Sequence, residues 1–182
     1  MNHRFQSFSH AFLVSIVAVV LCIGRANAAA QDMDHSRPTV PSTQLTIRAL
    51  DGKSMTFTPQ DIAAITHKSV SVYNHHTKAN ETYSGVPLAD LLGKVGVPLG
   101  ESVRGQLFLI GVVAEGTDHY SVLYALAEVD PSIHAGDVIV ADSEDGQKLG
   151  KDGVFKMVST EEKRPARWVR NLTSVAVIEV KP

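Results

Sequence analysis

The sequence is poor in cysteine and in aromatic residues, and neither sign of charge dominates it. Among 182 residues there are one cysteine, one tryptophan and 6% aromatic residues, and the formal net charge is −2. A chain that binds nucleic acid usually carries a basic surface, and one that stacks bases needs several aromatic side chains. Because both features are missing, we expect no nucleic-acid partner.

The apolar run near the N-terminus is too short to cross a membrane. Residues 11–24 are uncharged, Arg4 precedes them, and small residues around Ala28 follow. This order is typical of a secretory signal peptide, whereas a membrane span needs about 20 apolar residues. We therefore predict that residues 1–28 are a signal peptide, that the mature protein is periplasmic or secreted, and that it has no stable membrane anchor.

Cleavage after Ala28 would also remove Cys22, the one cysteine of the chain. The mature protein would then form no disulfide, no thiolate metal site, no iron–sulfur cluster and no covalent haem linkage. Any function of the mature chain must therefore work without a cysteine ligand.

The remainder of the chain is predicted to be one domain with a short lead-in. Residues 29–43 are small, polar and interrupted by proline, which favours a flexible segment. Residues 44–182 form the predicted domain. It opens with a β-hairpin, because Asp51 and Gly52 make a strong turn signal between two segments of alternating hydropathy.

Two short helices are predicted among the strands. Thr58 can cap the first helix, and Pro59 suits its first turn. In the second helix, Leu88, Leu91 and Leu92 recur at helical spacing, so we expect Leu91 and Leu92 to be buried.

The other periodic segments predict strands. They cover residues 69–73, 107–114, 120–126, 138–141, 154–158 and the last part of the chain. Residues 107–114 are almost wholly apolar, which predicts a strand buried on both faces. Two short helices among eight or nine strands indicate the α+β class, dominated by sheet.

Three passages, by their order and spacing, carry a resemblance to a known family. They are Tyr83-Ser84-Gly85-Val86-Pro87-Leu88 with Asp90-Leu91-Leu92, Asp118-His119-Tyr120 with Glu128 further on, and Ala166-Arg167-Trp168-Val169-Arg170. From about residue 43 to 180, the chain resembles the molybdopterin-binding domain of the sulfite-oxidase type, especially small exported proteins that carry that domain alone. The resemblance implies a sheet-dominated α+β fold with two or more short helices, and in catalytic members a molybdopterin cofactor with oxidoreductase activity.

The chain departs from that family at the metal ligand. In catalytic members a cysteine just upstream of the first passage binds molybdenum, whereas the segment here reads Val72-Tyr73-Asn74-His75-His76-Thr77-Lys78. The softest protein ligand is missing. We therefore predict a non-catalytic binding or interaction module to which no cofactor is assigned. The alternative is a molybdopterin-dependent periplasmic oxidoreductase in which Asn74, His75 or His76 replaces the cysteine.

The resemblance brings three separated stretches to one rim, which is the candidate ligand pocket. Arginine forks bind phosphate or carboxylate, an imidazole responds to pH, and Tyr120 or Trp168 offers a stacking face. We expect a small anionic ligand or another periplasmic protein as partner. The candidate rim residues are His75, His76, Asp118, His119, Tyr120, Arg164, Arg167 and Arg170.

Each of these stretches also has an ordinary structural interpretation. His75 and His76 could be exposed histidines in a polar turn. Residues 118–120 could be a solvated hairpin turn, and residues 163–170 a solvated loop that Trp168 anchors to the core. A metal bound by both histidines would need a further ligand, such as Glu81, from elsewhere in the fold. We predict no metal site and assign no catalytic residue.

Overall fold

A computed structural model describes residues 40–75 and 77–181 of the chain. The predicted signal peptide, most of the predicted lead-in, and His76 lie outside these residues. The strands are β1 (Leu45–Arg48), β2 (Ser54–Phe57), β3 (Lys68–Asn74), β4 (Ala79–Pro87), β5 (Ile110–Gly116), β6 (Ser121–Ala125), β7 (Val138–Glu144), β8 (Gln147–Lys148), β9 (Lys156–Ser159) and β10 (Leu172–Glu179). The α-helices are α1 (Pro59–Ala63), α2 (Leu88–Lys94) and α3 (Leu126–Val129).

The strands form two five-stranded sheets. The first sheet has the order β2-β1-β10-β5-β6, and β1 pairs with β10 in parallel. The second has the order β3-β4-β7-β8, and β9 also pairs with β7. With three short helices, this arrangement confirms the predicted sheet-dominated α+β class.

The locally encoded elements form where the sequence predicts them. The hairpin β1–β2 turns at Gly52, whose φ of 87° is in the region that favours glycine. Thr58 caps α1 in a reciprocal capping box with Asp61. Leu91 and Leu92 of α2 are fully buried in the larger hydrophobic core. These three predictions are confirmed.

The apolar run 107–114 is only partly a strand. Residues Gly105–Leu109 form a 3-10 helix, which starts at a glycine with a φ of 58°, and β5 begins at Ile110. Phe108 and Leu109 are exposed. Val113 on the outer face of β5 is also only partly buried. The predicted start at Leu107 and the predicted burial on both faces are therefore wrong, because apolar character alone does not distinguish a strand from a tight turn.

Gly85 lies at a close approach between β4 and β7. The β4–β7 register shifts between Ser84 and Gly85. A Cβ atom on Gly85 would lie 2.1 Å from the carbonyl oxygen of Val140 and 2.4 Å from the Cα atom of Ala141. Both atoms belong to the backbone, so no side-chain rotation can make room. The glycine of the first resemblance passage is thus required by packing.

We predict that Gly85→Ala lowers the free energy of unfolding by about 3 kcal/mol or more, because the added methyl group must displace a central strand. Gly93→Ala is the matched control. Gly93 is an exposed α2 residue where a Cβ atom meets nothing within 4 Å, and alanine there should stabilise the chain by about 0.5–1 kcal/mol. Urea unfolding measures both. Equal effects would contradict the close approach.

His67 connects the start of β3 to β7. Its Nδ1 atom lies 2.8 Å from the carbonyl oxygen of Ile65, and its Nε2 atom lies 3.1 Å from Oδ2 of Asp142. Both neighbours are acceptors, so the arrangement favours the doubly protonated ring. Burial alone would lower the pKa of His67, but the hydrogen bonds to Asp142 and Ile65 outweigh it and raise the pKa.

A raised folded-state pKa predicts that the His67–Asp142 pair stabilises the fold at acidic pH. Its contribution is complete below the ordinary histidine pKa of about 6.5 and is lost as pH rises through the folded-state value. Asp142→Asn should therefore destabilise the chain more at about pH 5.5 than at about pH 8.5. In the His67→Gln background the same substitution should show no such pH dependence. Urea unfolding at both pH values tests this, and a pH-independent effect would contradict it.

Candidate functional site

A cavity of about 490 Å³ lies where the second sheet meets the turn after β5 and the segment 165–170. Strands β4 and β9 supply its polar floor through Glu81, Tyr83 and Lys156. A volume of this size is within the usual range for small-molecule pockets. The cavity is therefore the candidate ligand site.

Lys156 is the buried centre of the cavity floor. Its side chain is 8% exposed, and its Nζ atom donates to Oδ2 of Asp152 at 2.7 Å and to the hydroxyl of Tyr83 at 2.9 Å. The Tyr83 hydroxyl in turn donates to Oε2 of Glu81 at 2.8 Å. The four side chains make one continuous hydrogen-bonded chain, with the ammonium group between two carboxylates.

Asn74 at the end of β3 and Thr77 in the turn that follows donate further hydrogen bonds to Glu81. Nδ2 of Asn74 lies 2.9 Å from Oε1 and 2.8 Å from Oε2, and Oγ1 of Thr77 donates to Oε1 at 2.7 Å. Burial alone would raise the pKa of Glu81, but the hydrogen bonds from Asn74, Thr77 and Tyr83 and the charge of Lys156 hold it below its usual value. Glu81 is therefore an ionised carboxylate at neutral pH.

Two aromatic rings enclose the ammonium group. Nζ of Lys156 lies 4.5 Å from the ring centroid of Tyr83 and 5.3 Å from that of Trp168. The two rings meet edge to face at 5.5 Å. The indole Nε1 of Trp168 donates to the carbonyl oxygen of Ser159 at 2.9 Å. Both cation–π contacts stabilise the buried charge, and Trp168 fixes the segment 165–170 against β9.

The cavity lining carries both signs of charge. Its carboxylates are Glu81, Asp118, Glu144 and Asp152, and its cations are Lys151, Lys156 and Arg170. Nη1 of Arg170 lies 4.0 Å from Oδ1 of Asp152, a buried oxygen that accepts no hydrogen bond. Lys151 and Arg170 are exposed. Lys156 and Arg170 thus both approach the single carboxylate of Asp152, so this end of the cavity is locally positive.

Three of the predicted rim residues line the cavity. Asp118, Tyr120 and Arg170 do so. Tyr120 is positioned by its hydroxyl, which donates to the carbonyl oxygen of Ala166, and by its backbone N–H, which donates to Oδ1 of Asp118 at 3.0 Å. Two of the three predicted stretches, the 118–120 turn and the cationic segment, therefore meet at the cavity.

The predicted histidines lie elsewhere or outside the described residues. His75 is exposed, and its ring contacts that of Tyr73 edge to face at 4.9 Å. His119 is exposed, has a φ of 64°, and its Nδ1 atom lies 2.8 Å from Oε1 of Glu115. Neither is among the residues that line the cavity. Within residues 40–75 and 77–181, no group of three His, Cys, Asp or Glu residues has a geometry that could hold a metal ion.

The guanidinium group of Arg167 is held by contacts with other residues of the chain. Its guanidinium group donates to both carboxylate oxygens of Glu128 at 3.0 and 3.1 Å, lies 2.9 Å from Oε1 of Glu162, and donates to the carbonyl oxygen of Leu123. It also lies 4.3 Å above the ring of Tyr124. Arg167 therefore links Glu162, which precedes the segment 165–170, to Leu123 of β6 and Glu128 of α3. Arg164 is exposed, and neither arginine lines the cavity.

Sequence reasoning missed the floor of the cavity. Lys156 is the one charged residue in the apolar strand segment 154–158, and a lysine in such a segment is rarely buried without a partner. A charged residue within an apolar strand segment was therefore the one signal in the sequence that could have indicated a buried polar site. The Lys156 partner Tyr83, and Glu81 to which Tyr83 donates, come from a distant strand, and no spacing rule connects them to Lys156.

Comparison with known proteins supports the fold and leaves the chemistry open. No protein-family model matches the chain, and no curated protein does. A solved structure that matches is the sulfane dehydrogenase SoxCD from Paracoccus pantotrophus, with 20% sequence identity and a TM-score of 0.57. The match covers 74% of this chain and 37% of that one, so the chain spans well under half the length of its neighbour. The shared fold confirms the expected sulfite-oxidase-type architecture.

Within residues 40–75 and 77–181, no helix has the length and the apolar character needed to cross a bilayer.

The residues of the cavity do not fit a molybdenum pterin. Asn74, in the segment where the family resemblance places the cysteine, has an amide that donates to Glu81. The buried cation Lys156 is already paired with Asp152. The donor set therefore lacks the soft metal ligand that such a group needs.

The buried pair predicts a non-additive response to substitution. Asp152→Asn should lower the free energy of unfolding by about 3–5 kcal/mol, because it leaves the Lys156 ammonium buried without its counter-charge. Adding Lys156→Met should recover part of that loss. The exposed Asp51–Lys53 pair, at 2.9 Å, is the control, and Asp51→Asn should leave urea unfolding unchanged. Additive losses at Asp152 and Lys156 would contradict the pair.

Proposed function

We propose that the chain is an exported ligand-binding module that uses a sulfite-oxidase-type scaffold without molybdenum catalysis. The observation that carries the proposal is the cavity, in which Lys156 and Asp152 occupy the floor and Arg170 and Lys151 remain exposed. Export rests on the N-terminal sequence, which has the order of a signal peptide.

A small anionic ligand suits the positive end of the cavity. Arg170 is half-exposed and is 4.0 Å from Asp152, so its guanidinium group retains donors that can turn towards a ligand. Lys151 is adjacent, and Tyr120 offers an aromatic wall. An arginine fork beside an ammonium group is a common arrangement for carboxylate or phosphate recognition.

The alternative function is a molybdopterin-dependent oxidoreductase with an unusual ligand set. It would require Asn74 or a neighbouring histidine to replace the cysteine of catalytic relatives. Asn74 does line the cavity, although its amide is bound to Glu81. Metal analysis of the natively exported protein separates the two functions, because stoichiometric molybdenum would overturn the proposal.

Ligand binding provides the direct test. With inorganic phosphate and a series of small carboxylates as probes, we predict saturable binding by the mature chain in calorimetric titrations. Arg170→Gln should weaken binding about tenfold or more, as expected for the loss of a charge-assisted contact.

Arg164→Gln is the matched control for that titration. Arg164 is an exposed arginine six positions away that does not line the cavity, so its loss changes net charge equally and should leave the affinity nearly unchanged. Equal weakening by both substitutions would show a non-specific charge effect. No binding of any probe by folded protein would overturn the proposed ligand class.

A further inference from the structure

Strand β3 is a long edge strand that, within the described part of the chain, pairs with another strand on one side only. It forms one end of the second sheet, and all seven of its residues pair with β4 in a register without a bulge. Ser69, Ser71 and Tyr73 are exposed, while Val70 and Val72 are buried in the smaller hydrophobic cluster. Such an edge presents a row of backbone groups that can pair with another strand.

The backbone of Thr82 shows which groups of β3 face outward. Thr82 pairs with Ser71, but its N–H donates to Oδ1 of Asp145 and its C=O accepts from the Asp145 N–H, on the side away from β3. The Thr82–Ser71 pair is therefore a non-hydrogen-bonded pair of the antiparallel ladder. The N–H and C=O groups of Ser71 consequently point away from β4, and those of Ser69 and Tyr73, two residues away, do the same.

The other sheet edges in the described part of the chain are short or covered. Strands β2 and β8 have four and two residues. On β6, the guanidinium group of Arg167 donates to the carbonyl oxygen of Leu123. On β9, Met157 forms a bridge with Val169. Edge strands are usually protected against association by being short or by being covered. Strand β3 has seven residues, and no contact of this kind on its outer side is seen among the described residues.

The usual protective charge on an edge is also neutralised in β3. Its one lysine, Lys68, lies at the end of the strand, and its Nζ atom is 2.5 Å from Oδ1 of Asp137. The strand contains no proline and no acidic residue. No like-charge repulsion therefore opposes the approach of a second strand to the middle of β3.

We infer that β3 pairs antiparallel with β3 of a second copy of this chain, about a two-fold axis at Ser71. In this register Ser71 faces its own counterpart, and Ser69 faces Tyr73 of the second copy, so each outward N–H and C=O of the three residues meets a partner. Val70 lies opposite Val72 on the buried face, and the charged Lys68 lies opposite the neutral Asn74. The strand is thus self-complementary in hydrogen bonding and in hydropathy, and the register places no like charges opposite one another.

Charge complementation at the two-fold axis tests this register. The mature chain should show a concentration-dependent monomer–dimer equilibrium in sedimentation experiments. Ser71→Lys and Ser71→Glu each place two like charges opposite one another, so each should weaken dimerisation at least tenfold. An equimolar mixture of the two variants should restore the dimer as a heterodimer.

Two controls separate this interface from other effects. Ser121→Lys adds the same charge at an exposed serine of β6 and should leave dimerisation unchanged. Hydrogen exchange at the Ser71 amide of the unmodified chain should slow with rising concentration, which gives a readout without any substitution.

Several results would overturn the inference. One is a chain that stays monomeric up to about 0.5 mM, a concentration at which even a weak interface associates. Others are a dimer that survives Ser71→Lys or a mixture that stays monomeric. Protection of the Ser71 amide only on addition of another protein or peptide would identify a different occupant and would also overturn it.

Discussion

The buried ammonium group of Lys156 is the constraint on which the structure around the cavity depends. A charge removed from water must find its partners inside the protein, and here they come from three segments of the chain. Asp152 precedes β9, Tyr83 belongs to β4, and Trp168 lies within the segment 165–170. Satisfying one charge therefore fixes the relative positions of three distant parts of the chain, and the cavity is the space they leave.

The same network links the cavity to the backbone geometry of the second sheet. Tyr83 can reach Lys156 only if β4 keeps its register, and Gly85 permits β4 to approach β7 because it carries no Cβ atom. The first resemblance passage thus combines a packing requirement with a polar one. Two chains can share this fold and this sequence passage for structural reasons alone while their chemistry differs. The fold alone therefore does not establish function.

Local signals predicted much of the fold and little of the site. The Gly52 turn, the Thr58 cap and the apolar side of α2 depend on neighbouring residues, and a sequence displays neighbours directly. The site depends on contacts between residues far apart, such as Lys156 with Tyr83. The arginines show the limit clearly. Arg167 and Arg170 look equivalent in the sequence, yet one is held by Glu128 and the other faces the cavity.

The distribution of positive charge supports the proposed binding of a ligand that arrives from solvent. Lys156 is enclosed by rings and carboxylates, so it organises the floor and has little freedom to follow a ligand. Arg170 keeps only a long contact with Asp152 and remains exposed. A buried, paired cation and an exposed cation with one long contact therefore have separate roles in structure and in the proposed recognition. Under the proposed function, binding changes the contacts of Arg170 without exposing the buried charge, whose desolvation the fold has already compensated.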